Sequence, residues 1–139
     1  MMTWRWIMKK AEAHQYGFEK LNVWQDAREL VCYVYTITAK FPKTETYSLV
    51  DQIRRAAISV SANLAEGTSR MTPKEQARYT SISYGSLMEL LNHFYLAMDL
   101  HYMEVNTLNE LKNHIFKISS QLNALRKTQV GRSKLGVEG

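Results

Sequence analysis

The sequence predicts an all-α fold, an antiparallel up-down-up-down four-helix bundle. Two observations carry that expectation. Four segments repeat apolar residues at alternating steps of three and four, which lines them along one helical face. Helix breakers are scarce, two prolines and six glycines in 139 residues, and nearly all lie at the ends or between the periodic segments. Four amphipathic helices joined by short loops pack most simply as antiparallel neighbours.

Residues 1–17 are aromatic and basic without a period. They read as a flexible N-terminal extension in which Trp4, Trp6 and Ile7 are candidates for contact with a neighbour. The bundle is expected over 18–128 and a disordered tail over 129–139. Helix one is expected from Asn22 to Lys40, with Val23, Ala27, Leu30, Val34, Ile37 and Phe41 as its seam. Pro42 closes it, because a residue before proline avoids helical geometry.

Helix two is expected from about Thr46 or Tyr47, with Leu49, Ile53, Ala56, Ala57, Val60 and Leu64 as its apolar stripe. Gly67 is placed to end it as a left-handed C-cap. Thr72, Pro73 and Glu75 form a start signal: an N-cap, a proline at the first helical position and the acid of a capping box. Helix three then runs to about Tyr102. Leu87, Leu90, Leu91, Phe94 and Met98 share one face, and Ile82, Leu96, Leu100 and Met103 lie roughly opposite. One bundle cannot bury both faces. Gly85 in mid-helix costs about 1 kcal/mol relative to alanine, and close approach of another helix is the expected compensation. Helix four runs from about Asn106 to Lys127, on a seam of Leu108, Leu111, Ile115, Ile118, Leu122 and Leu125.

A chain of 139 residues supports one domain. The formal net charge is +5, spread as a surplus of two in residues 1–20, two in 21–129 and one in 130–139. Charge alone is therefore weak evidence for nucleic acid. Cys32, the lone cysteine, lies in an apolar run and is expected to be a buried structural thiol. A reducing cytoplasm suits it. No secretory signal is visible, and no apolar run reaches the roughly 18–20 residues of a membrane span, so no membrane partner is expected.

The stretch from Gln52 to Gly67 is unusual. Opposite its apolar stripe lie Gln52, Arg55, Ser59, Asn63 and Glu66, small and polar where a surface helix would carry long solvated charges. Gln52-Ile53-Arg54-Arg55-Ala56, Ser59 and Ala62-Asn63-Leu64-Ala65-Glu66-Gly67 resemble the signature of the four-helix-bundle proteins encoded in intervening sequences of bacterial 23S rRNA genes. Phe18-Glu19-Lys20-Leu21, Trp24-Gln25, Phe41-Pro42, and Gly85-Ser86 with Leu87 and Glu89 follow in the order that family shows. Tyr84 departs from it, standing where a small residue is usual.

The resemblance covers Phe18 to Lys127. It implies a homo-oligomeric ring, a pentamer. The small-polar stripe of helix two and the second face of helix three make Gln52, Arg55, Ser59, Asn63, Glu66, Gly85, Glu89 and Leu96 the expected subunit interface. The accessory protein of diversity-generating retroelements resembles the same group and works with a reverse transcriptase and nucleic acid. That implies RNA or DNA as a partner here. The residues that suit it are Arg54, Arg55, Arg70, Lys74 and Arg78: Arg70, Lys74 and Arg78 are spaced by four, with Arg54 and Arg55 one helix away. In an isolated monomer the ordinary alternative is Arg55 paired with Glu66 or Glu89 and the other cations merely solvated; the alternative function is a protein-interaction scaffold in which the arginines are used up in subunit contacts.

No enzyme chemistry is expected. A di-iron bundle needs Glu-x-x-His pairs and further inward carboxylates. Glu89 with His93 and Glu110 with His114 stand four apart, and the other ligands are missing, so no metal or cofactor is expected. No phosphate-cradling glycine loop occurs. Ser59, Ser61, Ser83 and Ser86 lack a recognisable His and acid and suit helix contacts better.

Overall fold

A computed structural model describes Thr3, Arg5 and residues 13–136; Trp4, Trp6 and Ile7 lie outside the described residues. Four long helices and no strand occur among the described residues: α1 Asn22–Thr38, α2 Leu49–Thr68, α3 Pro73–Asp99 and α4 Val105–Lys134. Short 3-10 turns precede α1 (Gly17–Lys20) and α2 (Lys43–Glu45). The start of α3 is as the sequence dictates: Thr72 accepts a hydrogen bond from the Glu75 backbone N–H at 3.2 Å, and Pro73 occupies the first turn. Its end is a sharp turn in which His101 takes a left-handed φ of 64°.

Each helix packs on its neighbour in the chain, and α4 returns to α1; the packing is heaviest between α2 and α3 and lightest between α1 and α4. Inter-helix contacts run in reverse order along α2–α3 and along α1–α4. Between α2 and α3, Ser59 meets Ser86, the Val60 carbonyl meets Ser83, and Gly67 meets Tyr79. Between α1 and α4, Asp26 meets Gln121 and Tyr33 meets Glu110. The shared core holds the seam residues named above, with Leu87, Leu90, Phe94 and Leu111 fully buried. Such burial is what turns four marginal helices into one structure.

Three local expectations are corrected. Gly67 does not cap α2; the helix continues to Thr68 with Ser69 as a right-handed C-cap. The glycine is needed for contact instead, since a Cβ there would lie 2.7 Å from Tyr79 Cβ. Cys32 is exposed rather than buried, because it falls on the outer flank of the Leu30–Val34 stripe. Finally, α4 reaches Lys134, well beyond Lys127 and into the stretch expected to be a disordered tail. The hydrophobic period stops at Leu125, but the helix does not. Buried Gln129 accepts a hydrogen bond from buried Thr80 of α3 at 2.7 Å and pins the last turns.

Candidate functional site

The five candidate cations do not form one cluster. Arg54 and Arg55 sit near the start of α2, while Arg70, Lys74 and Arg78 flank the α2–α3 turn. Arg54 lies about 20 Å of helix from the end of α2, at a rise of about 1.5 Å per residue.

Arg54 is engaged inside the chain: its Nε–H donates to Thr38 Oγ1 at 3.0 Å, and its guanidinium lies 4.2 Å from the centre of the Tyr35 ring. That contact ties α2 to the end of α1. Arg55 pairs with Asp51 at 2.9 Å, one turn back on its own helix, and not with Glu66 or Glu89. Such an exposed pair contributes little.

Arg70 is the one that takes Glu66. Its Nη2 donates to Glu66 Oε1 at 2.6 Å and to the Tyr79 hydroxyl at 2.7 Å, and its plane lies 4.6 Å from the Tyr79 ring centre. The guanidinium of Arg78 stands 5.6 Å from the same ring. Among the described residues, no ion pair includes Lys74 or Arg78, and both are exposed. Lys74 stands in the first turn of α3, where the helix dipole disfavours a cation by about 0.3–1 kcal/mol. Helix stability therefore does not explain it.

The candidate interface residues divide in two. Ser59 and Asn63 are used within the chain: Ser59 Oγ lies 2.7 Å from Ser86 Oγ, and the Asn63 amide donates to Ser59 Oγ at 2.9 Å and to its carbonyl at 2.8 Å. Gln52, Arg55, Glu66, Gly85, Glu89 and Leu96 are exposed. Among the described residues nothing comes within 4 Å of a Cβ placed on Gly85, so no described helix approaches it. Leu96 is 45% exposed, and Ile82 and Leu100 accompany it along α3, at 38% and 51%. The sequence placed these residues opposite the core, and among the described residues they remain about half exposed.

A groove of about 420 Å³ between α1 and α4 is lined in part by Asp26, Glu29, Tyr33, Glu110, His114 and Lys117. Its polar groups mostly serve one another. Tyr33 donates to Glu110 at 2.8 Å, His114 packs edge-on to the Tyr33 ring, and Asp26 pairs with Lys117 at 3.4 Å. Desolvation, then the hydrogen bond to Glu110 and its negative charge, raise the Tyr33 phenol above its ordinary value of 10.0. Neutral Tyr33 is thus favoured in the folded state. Its contribution is complete below pH 10 and is lost as pH rises through the higher folded value. Alkaline titration of phenolate absorbance should show one late tyrosine that is absent in Tyr33→Phe; no missing late component would contradict the assignment. Glu89 and His93 lie 3.3 Å apart. Among the described residues no group of three or more His, Cys, Asp or Glu side chains is arranged to hold a metal. No described helix is long and apolar enough to cross a membrane.

The sequence reading missed the cations that α4 carries to the end of the bundle. Arg126, Lys127, Arg132 and Lys134 lie on its last turns, and Arg126, Lys127 and Lys134 border a shallow depression of about 500 Å³ with Asn123, Val130 and Gly131. Their period is not hydrophobic, so only the Thr80–Gln129 contact, invisible in sequence, reveals that they are ordered.

A comparison with curated proteins returns no significant match. Among solved structures, a protein of unknown function from the S23 ribosomal protein family of Bacteroides thetaiotaomicron superposes with a TM-score of 0.70. It is 16% identical, and the match covers 76% of this chain and 95% of that one, a likeness of fold. The family model of the 23S rRNA-intervening sequence protein matches residues 19–124. That span takes in all of α1 to α3 and most of α4, including the Gln52–Gly67 stretch. With the four-helix fold, it makes this chain a member of the 23S rRNA-intervening sequence protein family.

Proposed function

We propose that this protein is a non-enzymatic, cytoplasmic homo-oligomer, a pentameric ring of antiparallel up-down-up-down bundles, that holds RNA or DNA by its phosphates. The reversed order of contacts along α2–α3 and α1–α4 supports the topology. The uncovered row of Ile82, Leu96 and Leu100, interrupted by Gly85, supports assembly, because a neighbouring helix can approach closely where a side chain is missing. The pentamer number rests on family resemblance. The observation that carries the nucleic-acid reading is the exposure of Lys74 and Arg78 beside the α2–α3 turn, with no carboxylate partner among the described residues. Phosphate contact needs only such free cations and makes no demand for base-reading motifs.

A second reading has its own support. Arg54 and Arg70 are consumed by contacts within the chain, as a protein-interaction scaffold without a nucleic-acid role would have them. Light scattering after size exclusion tests assembly, and a monomer at micromolar concentration would refute the ring. Anisotropy titration with labelled RNA and DNA tests binding. Affinity should fall with salt, with a log–log slope of about −0.7 per phosphate on single strands and −0.9 on duplex. A verified oligomer that binds neither at low salt leaves the scaffold reading.

A further inference from the structure

We propose that nucleic acid is held at one end of the bundle, on a surface built jointly by the α2–α3 turn and the last three turns of α4. This inference rests on the nucleic-acid reading above and adds where the phosphodiester backbone lies and which residues hold it.

Charge along the bundle is asymmetric. The Thr80–Gln129 hydrogen bond brings the start of α3 beside the end of α4. The α2–α3 segment and the last turns of α4 carry Arg70, Lys74, Arg78, Arg126, Lys127, Arg132 and Lys134 against Glu66 and Glu75, a surplus of five positive charges on these two segments. At the other end, Lys40, Lys43, Arg54 and Arg55 are balanced by Glu45, Asp51, Asp99 and Glu104. Segments far apart in sequence each carry a modest excess, and the fold adds them.

The bland explanation covers only part of this cluster. Arg132 and Lys134 stand in the last turn of α4 and offset its dipole. Arg126 and Lys127 lie further back, beyond the reach of that effect, and Lys74 opposes the dipole of α3. Glu66, one of the two acids present, is occupied by Arg70. Arg126, Lys127, Arg132 and Lys134 join no ion pair among the described residues. Two packed helices lie about 8–10 Å apart, and α3 packs on α4, so the two sets of cations stand on adjacent helices within reach of one phosphodiester strand. The depression between Arg126, Lys127 and Lys134, floored in part by Gly131, lets the strand approach the helix. Arg126, Lys127, Arg132 and Lys134 lie beyond residue 124, where the family match ends.

The test compares two charge-matched pairs of exposed substitutions in the full-length protein, Arg126→Ala with Lys127→Ala and Lys40→Ala with Lys43→Ala. The probes are labelled single-stranded RNA and single-stranded DNA of one length, titrated across salt. The first pair should lower the magnitude of the salt slope by about 1.4, two contacts at about 0.7 each, and weaken binding to both probes at low salt. The second pair should leave the slope unchanged. Loss with RNA alone would assign the site to RNA and still support its location. Equal losses in both pairs, or no loss in the first, would overturn the location while the nucleic-acid reading stands. A wild-type oligomer that binds neither probe removes both. Should the first pair perturb helicity, Arg126→Gln with Lys127→Gln removes the same charge while keeping good helix formers and decides the question.

Discussion

Phe94→Ala should lower the unfolding free energy by about 3–5 kcal/mol, the range for deleting a large buried aromatic side chain. Phe94 has no exposed surface and sits on α3, which contacts both α2 and α4 more heavily than any other helices contact one another. Neighbouring Leu90 and Ala97 are also fully buried on rigid helix, so the cavity cannot collapse by a side chain swinging in. The loss therefore combines the transfer term with an open void. Urea unfolding followed by far-ultraviolet circular dichroism measures it, with an unchanged slope expected. A change below 1 kcal/mol would mean that the face from Leu87 to Ala97 is not the core.

Gly67→Val should cost about 1–3 kcal/mol, the scale for overpacking, although it removes a glycine from a helix interior. Exchanging glycine for a better helix former ordinarily gains up to about 1 kcal/mol. Here the new Cβ would lie 2.7 Å from Tyr79 Cβ. That atom is fixed to the α3 backbone, so no rotamer change relieves the clash, and the two helices must separate. The displaced Tyr79 also carries the ring under Arg70 and the hydroxyl that Arg70 donates to. Reduced stability together with an altered tyrosine environment is expected. A stabilised variant would show that the crossing tolerates a wider gap.

The helices and their inner faces were legible in the sequence because burial imposes a period of 3.6, and Val23 to Phe41 or Leu108 to Leu122 display it directly. The site was less legible for three physical reasons. Arg70, Glu66 and Tyr79 are brought together by a turn, and with the helix expected to end at Gly67, spacing along the chain does not single out Arg70 over Arg55 as the partner of Glu66. Glycine serves both left-handed caps and close contacts, and Gly67 looks alike in either role until the facing helix is seen. The end of α4 is held by a polar contact, Thr80 to Gln129, that leaves no periodic trace.

The polar seam between α2 and α3 has a consequence for register. Ser83 donates to the Val60 carbonyl at 2.8 Å, and Ser59 and Ser86 share a hydrogen bond. Aliphatic side chains of similar size tolerate sliding, since one methyl group replaces another at little cost. Hydroxyl groups do not. A one-turn slip of α3 along α2, about 5.4 Å, would break both of these hydrogen bonds and part the Ser59–Ser86 pair. The serines thus act as detents: they add little to the depth of the native well and much to its narrowness. A pair of helices otherwise joined by interchangeable apolar residues is held to a single alignment, and with it the placement of every cation around the α2–α3 turn.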